Sequence, residues 1–276
     1  MIPISLVTPS FNKAPFIEAT LKSVLDQGYG RLEYGIVDGA STDGSLVILR
    51  RYEDRLSFLV SEPDQGMYAA LAKGFARTSG EIMGYIGADD LLMPWTLSVV
   101  SDIFSTFPDV EWLTSGYPLT ADAEGRIVRA RQLPPPRSRD FFRGANLPGH
   151  AWRSAGWIQQ ESTFWRRSLW ERAGGLDPEL NFAGDFDLWC RFFKLAEPLS
   201  IATPLAAFRR HGAQISSTQA SAYAAEALAA LKKHGGKPDG WIMSRVRDVF
   251  RRLGISRSGR SCAYDSAQGR WRHAGS

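Results

Sequence analysis

Through residues 1–115, short apolar runs alternate with longer stretches whose apolar positions recur every three to four residues. The runs at 4–8 (ISLVT), 34–38 (YGIVD), 56–61 (LSFLVS), 82–87 (IMGYIG) and 110–115 (VEWLTS) predict strands. Between the first two, Phe16, Ile17, Ala19, Thr20, Leu21, Val24 and Leu25 recur on one helical face. A second helix is expected from about residue 43 and others over 67–77 and 94–107, the last with Pro94 in a first turn that tolerates proline. Alternation at this period implies an α/β fold with a mostly parallel central sheet covered by helices. Ligands on such sheets bind beyond the carboxyl ends of the strands.

The pattern loosens at residue 117. Residues 117–158 hold Pro134-Pro135-Pro136, scattered Arg and little periodicity, with a strand pair expected around 127–133. Order returns with a strand at STFW, a helix starting at Arg167-Ser168, a helix over 185–196 (DFDLWCRFFKLA), a strand at 206–211 and an Ala/Leu-rich helix over 220–233. In 241–254 (WIMSRVRDVFRRLG), Trp241, Ile242, Val246, Val249, Phe250 and Leu253 can share a face opposite Arg245, Arg247, Arg251 and Arg252. The Ser/Gly/Arg-rich residues 254–276 are expected to be disordered.

Composition narrows the class. The chain has 276 residues, 44% hydrophobic and 22% charged, which is globular, and no apolar run is long enough for a transmembrane helix. Two cysteines, Cys190 and Cys262, make no disulfide framework. The opening MIPISLVTPSFNK lacks a basic leader and a long apolar segment, so a cytoplasmic setting is expected. The net charge of +4 is unevenly spread. Residues 232–276 carry 11 Lys/Arg against three Asp, and the preceding 231 carry 22 basic against 26 acidic groups. An amphipathic basic helix at 238–254 fits an anionic membrane surface, which would make the protein peripheral on the inner face of the membrane. A helix packed on the domain with a solvated basic side is the alternative. A nucleic-acid partner is not expected, because the body is acidic.

Acidic residues gather where strands should end: Asp38 and Asp43, Glu62 and Asp64, Asp89 and Asp90. One such Asp commonly caps the next helix. Three clusters on one rim repel, and a divalent cation or hydrogen-bond donors would relieve that. Asp89 and Asp90 directly follow an apolar strand, and oxygen ligands suit Mg²⁺ or Mn²⁺. Asp185 and Asp187 open a helix, either as helix-start acids or with one as a general base. His211 ends a strand and would join a metal site only if it returned to the Asp89-Asp90 rim.

The stretches SLVTPSFN, IVDGASTDGS, SEPDQGMYAALAKGFARTSGE, YIGADDLLMP, QESTFWRRSLWERAGGLDPEL, FAGDFDLWCRF and FRRHGAQIS, in this order over residues 4–216, resemble family 2 glycosyltransferases with the GT-A (nucleotide-diphospho-sugar transferase) fold. The chain particularly resembles bacterial members that build surface or exported polysaccharides. The resemblance implies a GT-A domain over 1–236, with a nucleotide-binding half (1–116) and an acceptor-side half (117–236), followed by a C-terminal helical extension and tail (237–276). It implies that Pro9 and Phe11 line the base pocket, that Asp38 bonds the base, and that Asp64 and Lys73 lie toward the nucleotide and sugar. Asp89 and Asp90 match the metal motif, which His211 completes in some relatives, and Asp89 also faces the donor. Asp185 matches the catalytic base. Gln159, Gln160 and Glu161 match a segment near donor sugar and acceptor. Gly87, Ala72 and Gly184 depart from the residues usual in the family.

The implied activity is inverting transfer from a nucleotide-diphosphate sugar, UDP-linked, to a hydroxyl of a saccharide or lipid-linked acceptor. Asp187, two positions along its helix, is expected to face elsewhere and support the helix start or an Arg. Trp165 and Trp170 are expected in the core, whereas Trp152 and Trp157 lie in an irregular segment suited to an acceptor loop. A nucleotidyltransferase would carry a Gly-rich basic loop after the first strand, where this chain has TPSFNKAP. A non-catalytic carbohydrate- or nucleotide-binding scaffold is the rival from another class. The chain has neither a P-loop nor a Gly-x-Gly-x-x-Gly fingerprint.

Overall fold

The first strand, β1 (Ile4–Ser10), is buried along its whole length because neighbours flank it on both edges and helices cover both faces. In the computed structural model, described over residues 1–149, 155–212, 214, 218–253 and 259–274, it pairs in parallel with β2 (Leu32–Asp38) and β4 (Ile82–Tyr85). β2 pairs in parallel with β3 (Phe58–Ser61). The connections are α1 (Ala14–Leu25), α2 (Ser45–Arg50) and α3 (Met67–Phe75). After the two-residue β5 (Leu91–Leu92) come α4 (Thr96–Thr106) and β6 (Trp112–Ser115). β9 (Thr163–Arg166) lies antiparallel between β4 and β6. β10 (Leu199–Ile201) extends the sheet in parallel beyond β6.

A second sheet of four strands has the order β5, β11 (Ala206–Arg209), β7 (Leu119–Ala121) and β8 (Ile127–Ala130). β8 lies in the stretch 127–133 where a strand pair is expected from the sequence, but its antiparallel partner β7 comes earlier, at 119–121. Short α5 (Ser138–Phe141) and α6 (Arg167–Ala173) precede α7 (Gly184–Leu195), α8 (Ala220–Lys233) and α9 (Trp241–Arg252).

The core forms on the two faces of the central sheet. One face gathers Ile4, Leu6, Leu21, Ile36 and Phe104, and the other Val7, Val37, Trp112, Trp165, Trp189 and Phe192. Trp165 is fully buried and Trp170 packs against the same cluster, as expected. Trp152 lies outside the described residues.

One expectation is overturned. The tail is not disordered over its described residues. β12 (Arg260–Asp265) pairs in parallel with β10, and β13 (Arg270–His273) closes a hairpin on it, so the nine-stranded sheet ends in the C-terminal segment. Cys262 and Trp271 are buried and pack into the main core, and His273 lies against Phe107. Few inward apolar residues are needed to anchor an edge hairpin, so Ser, Gly and Arg dominate its composition. Residues 254–258 are outside the described set.

Candidate active site

Parallel pairing brings the carboxyl ends of β1, β2 and β3 level, with Ser10 opposite Asp38 and Asp38 opposite Ser61. Asp38 is fully buried. Its Oδ2 accepts hydrogen bonds from Ser41 N (2.9 Å) and Ser61 Oγ (2.8 Å), and its Oδ1 accepts one from Ser41 Oγ. Pro9 is buried in β1, whereas Phe11 is 60% exposed just beyond it. A Cβ on Gly39 would lie 3.0 Å from Asp64 Oδ2 and 3.3 Å from the Phe11 ring, so the absent side chain lets these two residues converge over the end of β2. Lys73 is ion-paired with Glu62 beyond β3.

The cation that meets the acidic rim is Lys13, in the turn between β1 and α1. Its Nζ lies 2.6 Å from Asp89 Oδ2, and His211 Nε2 lies 2.9 Å from the same oxygen. The imidazole stacks on Phe16, with centroids 4.3 Å apart. Burial works against the charge of Asp89, but Lys13 and then His211 outweigh it, so the carboxyl sits below the usual range. Asp90 differs. It is buried, its Oδ1 accepts a hydrogen bond from Arg209 N (2.9 Å), and burial followed by the charges of Glu161 and Asp89 pushes its pKa well above the usual range. Thr20 Oγ1 donates to the carbonyls of Ala88 or Asp90, fixing the loop between β4 and β5 to α1.

Among the described residues no group of three His, Cys, Asp or Glu is already arranged to hold a metal. The donor chemistry nevertheless fits a hard divalent cation. A Cβ on Gly87 would lie 3.1 Å from Asp89 Oδ1 and 2.9 Å from Asp90 Oδ2, so two carboxylate oxygens face the gap left by that glycine, with the His211 imidazole beside them.

Asp185 opens α7, half-buried. Tyr223 Oη lies 3.2 Å from both of its oxygens, and Tyr68 Oη, which donates to Phe182 O, lies 3.3 Å from Oδ1. Burial pushes the Asp185 pKa up to about 6, against hydrogen bonds from Phe186 N, Tyr223 and Tyr68 that hold it down. Gly184 explains the approach of Tyr68, since a Cβ there would meet the Tyr68 ring at 2.9 Å. Glu226 of α8 accepts the backbone N–H groups of Asn181, Phe182 and Ala183, which fixes the entry to α7. Asp187 faces away, as expected, and is buried between Arg191 Nη2 (2.7 Å) and His234 Nε2 (2.8 Å).

Between the Asp89 rim and Asp185 sits a single 3-10 turn, Gln160–Ser162. Glu161 is buried, its Oε1 has no hydrogen-bond partner, and its pKa is pushed up to about 8, by burial first and then by the charges of Asp185 and Asp89. The side-chain oxygens of Gln159 and Gln160 are likewise buried without a partner. Trp157 is exposed and stacks on Tyr223, with centroids 5.6 Å apart and an 18° interplanar angle. With Phe141, Asn146, Ile158, Phe186 and Trp189, these two rings line a narrow aromatic cleft beside Asp185.

The profile described as "Glycosyl transferase family 2" matches residues 5–162, which spans the ends of β1 to β4 in this rim and the Gln160–Ser162 turn. The chain belongs to glycosyl transferase family 2. An uncharacterized glycosyltransferase of Mycobacterium tuberculosis is 28% identical over 211 residues, covering 76% of each chain. The putative teichuronic acid biosynthesis glycosyltransferase TuaG of Bacillus subtilis is 38% identical over 90 residues, 32% of this chain and 36% of TuaG. Among solved structures, Staphylococcus aureus TarS 1–349 with UDP-GlcNAc superposes with a TM-score of 0.65 at 16% identity, covering 93% of this chain and 74% of TarS 1–349. The mannosyltransferase PcManGT of Pyrobaculum calidifontis, with GDP-Man and Mn²⁺, gives 0.60 at 22% identity, covering 90% and 70%. This family 2 glycosyltransferase therefore has the GT-A fold expected from its motifs. Lys13, Tyr68, Tyr223 and Glu226 were not singled out as site residues from the sequence. Lys13 alone carried a signal there, as a lone cation in the turn after the first strand.

Proposed function

We propose that this glycosyltransferase moves a sugar from a nucleotide-diphosphate sugar, UDP-linked, onto a hydroxyl of a lipid-linked or polysaccharide acceptor, with inversion at the anomeric carbon. The observation that carries this reading is Asp185: a half-buried carboxylate with a pKa of about 6, held by two tyrosines between an acidic, cation-bearing rim and an aromatic cleft.

Residues 1–116 supply the donor side. Phe11 and Pro9 flank the base, with Asp64 and Lys73 toward the nucleotide and sugar; Asp38, which the family resemblance assigns to the base, is buried with both oxygens taken by Ser41 and Ser61, so we assign it to bracing that loop. Lys13 brings positive charge to where the diphosphate lies. Asp89, Asp90 and His211 would hold Mg²⁺ or Mn²⁺, which when bound neutralises charge on the leaving diphosphate. Residues 117–236 supply the acceptor side. Trp157, stacked on Tyr223 and exposed, offers an aromatic face for a sugar ring, and Gln160 with Glu161 offers unpartnered polar atoms for its hydroxyls.

Asp185 accepts the proton of the acceptor hydroxyl. The freed oxygen forms a bond to the anomeric carbon as the bond to the diphosphate breaks on the opposite face, and the diphosphate leaves with that electron pair. A base with a pKa near 6 is mostly ionised at neutral pH yet still takes a proton. Polysaccharide acceptors are supported by the names of relatives: TuaG, and the O-antigen biosynthesis protein RfbC of Myxococcus xanthus, 28% identical over 221 residues that make up 78% of this chain and 16% of RfbC. The test is proton NMR of the product formed from an α-linked UDP-sugar. The β-anomer is expected, and an α-linked product would overturn the single-base mechanism.

A further inference from the structure

A surface helix ordinarily buries its apolar stripe and turns its polar face to water. Helix α9 is mounted the other way round. Its inward face carries Ser244 and Asp248, both buried, and two ion pairs, Arg251 Nη2 to Asp140 Oδ2 (2.6 Å) and Arg247 Nε to Asp239 Oδ2 (2.6 Å). Its outward face carries Ile242, Met243, Val246, Val249, Phe250 and Leu253, each between 39% and 72% exposed. At 100° per residue the two faces lie on opposite sides of the helix.

The mounting is firm. The segment leading into α9 is pinned by Lys237 N to Phe142 O (2.8 Å) and Asp239 N to Arg143 O (3.0 Å), and the helix end by Arg251 to α5. A contiguous apolar face held outward by half-buried ion pairs on the opposite face is an interaction surface. Its margins name the partner. Trp241 is exposed at the helix start with the Arg245 guanidinium over its ring (5.7 Å), and Lys232, Lys233 and Lys237 are exposed immediately before it. Apolar side chains flanked by Trp, Arg and Lys match the acyl boundary of a bilayer below an anionic headgroup layer.

We propose that α9 is an interfacial helix that docks the enzyme on an anionic lipid bilayer, its apolar face in the membrane and its ion-paired face on the protein. The orientation follows from α5. Asp140 of α5 clamps α9, and the adjacent Phe141 lines the cleft beside Asp185. On the functional reading above, docking therefore places the acceptor cleft beside the membrane, where a lipid-linked acceptor presents its sugar.

The experiment is co-sedimentation of the full chain, without any sugar nucleotide, with vesicles of equimolar phosphatidylcholine and phosphatidylglycerol or of phosphatidylcholine alone. Its outcome is thus independent of whether the transfer reading holds. Wild type is expected to pellet with the anionic vesicles. The double variant Ile242→Glu/Phe250→Glu should lose about tenfold or more in affinity. Lys237→Glu/Arg245→Glu, which leaves the apolar face intact, should lose binding as well, and raised salt should mimic it. Neither variant changes a buried side chain, so their unfolding midpoints should match wild type. Wild type remaining in the supernatant, or both variants pelleting like wild type, would overturn the proposal. So would light scattering that shows a wild-type dimer split by Ile242→Glu/Phe250→Glu without vesicle binding, because the face would then join two copies of the chain.

Discussion

The two sides of the site are built on different physical terms. On the side we propose for the donor, each strand-end carboxylate has a protein partner: Asp38 has Ser41 and Ser61, Asp89 has Lys13 and His211, and Asp90 has the backbone N–H of Arg209. On the side we propose for the acceptor, Asp185 is held among the described residues by tyrosine contacts and helix-start N–H groups, and the neighbouring Gln160–Ser162 turn leaves polar atoms without partners there. These contacts tie the proposed donor side together, yet Asp89 Oδ1 and Asp90 Oδ2 still face the Gly87 gap, and burial holds the Asp90 carboxyl well above the usual range. The acceptor side keeps its hydrogen-bonding capacity unspent, and burial there raises carboxyl pKa values toward neutrality.

The contrast is sharpest between two acids of one helix, and it can be broken there. Asp187 is structural, so Asp187→Ala should leave the Arg191 guanidinium buried without its carboxylate and cost about 3–5 kcal/mol in denaturant unfolding. The protein that remains folded should keep its turnover. A smaller effect is expected one position before Asp185. Gly184→Ala drives a methyl into the Tyr68 ring, and overpacking of this kind costs about 1–3 kcal/mol. Turnover should fall with stability, since Tyr68 must move off Asp185. The smallest change is in pH dependence. Below about pH 6 the Asp185 carboxyl is protonated and cannot take the acceptor proton, so kcat should fall tenfold per pH unit on the acid side. The Tyr223 hydrogen bond holds that pKa down, so Tyr223→Phe should move the acid limb upward by up to about one unit. An unmoved limb in that variant would assign the titration to another group.

Much of the fold was legible because each parallel strand carries its own burial signal. The runs at 4–8, 34–38 and 82–87 are continuous apolar segments that need both faces covered, and they form β1, β2 and β4. The pieces that escaped are short or lie at sheet edges. β5 has two residues and β10 three, and the β12–β13 hairpin is anchored by Cys262 and Trp271 amid residues suited to a loop. The site divides in the same way. Asp89 and Asp185 stand out because they directly follow or open a regular element. Their partners do not. Tyr68 lies within the apolar pattern of α3 and Tyr223 within an Ala-rich helix, and neither belongs to a local motif. Contacts such as His211 to Asp89, 122 residues apart in the chain, exist only once the sheet has formed.

Asp185 and Asp89 together carry the central claim, that one pocket grips the donor at the strand ends and removes a proton at the start of α7. The direct measurement is donor binding beside turnover in Asp185→Asn, with Asp89→Ala as the counterpart. Because burial raises the Asp185 pKa from 3.8 to about 6, the ionised carboxylate costs stability, and that cost grows as pH rises through this window. Asp185→Asn should therefore unfold at a higher temperature than wild type at pH 7. It should bind the UDP-sugar with Mn²⁺ as tightly as wild type and lose about 10²–10⁴-fold in turnover, whereas Asp89→Ala should weaken donor binding. Wild-type turnover in Asp185→Asn would contradict the account.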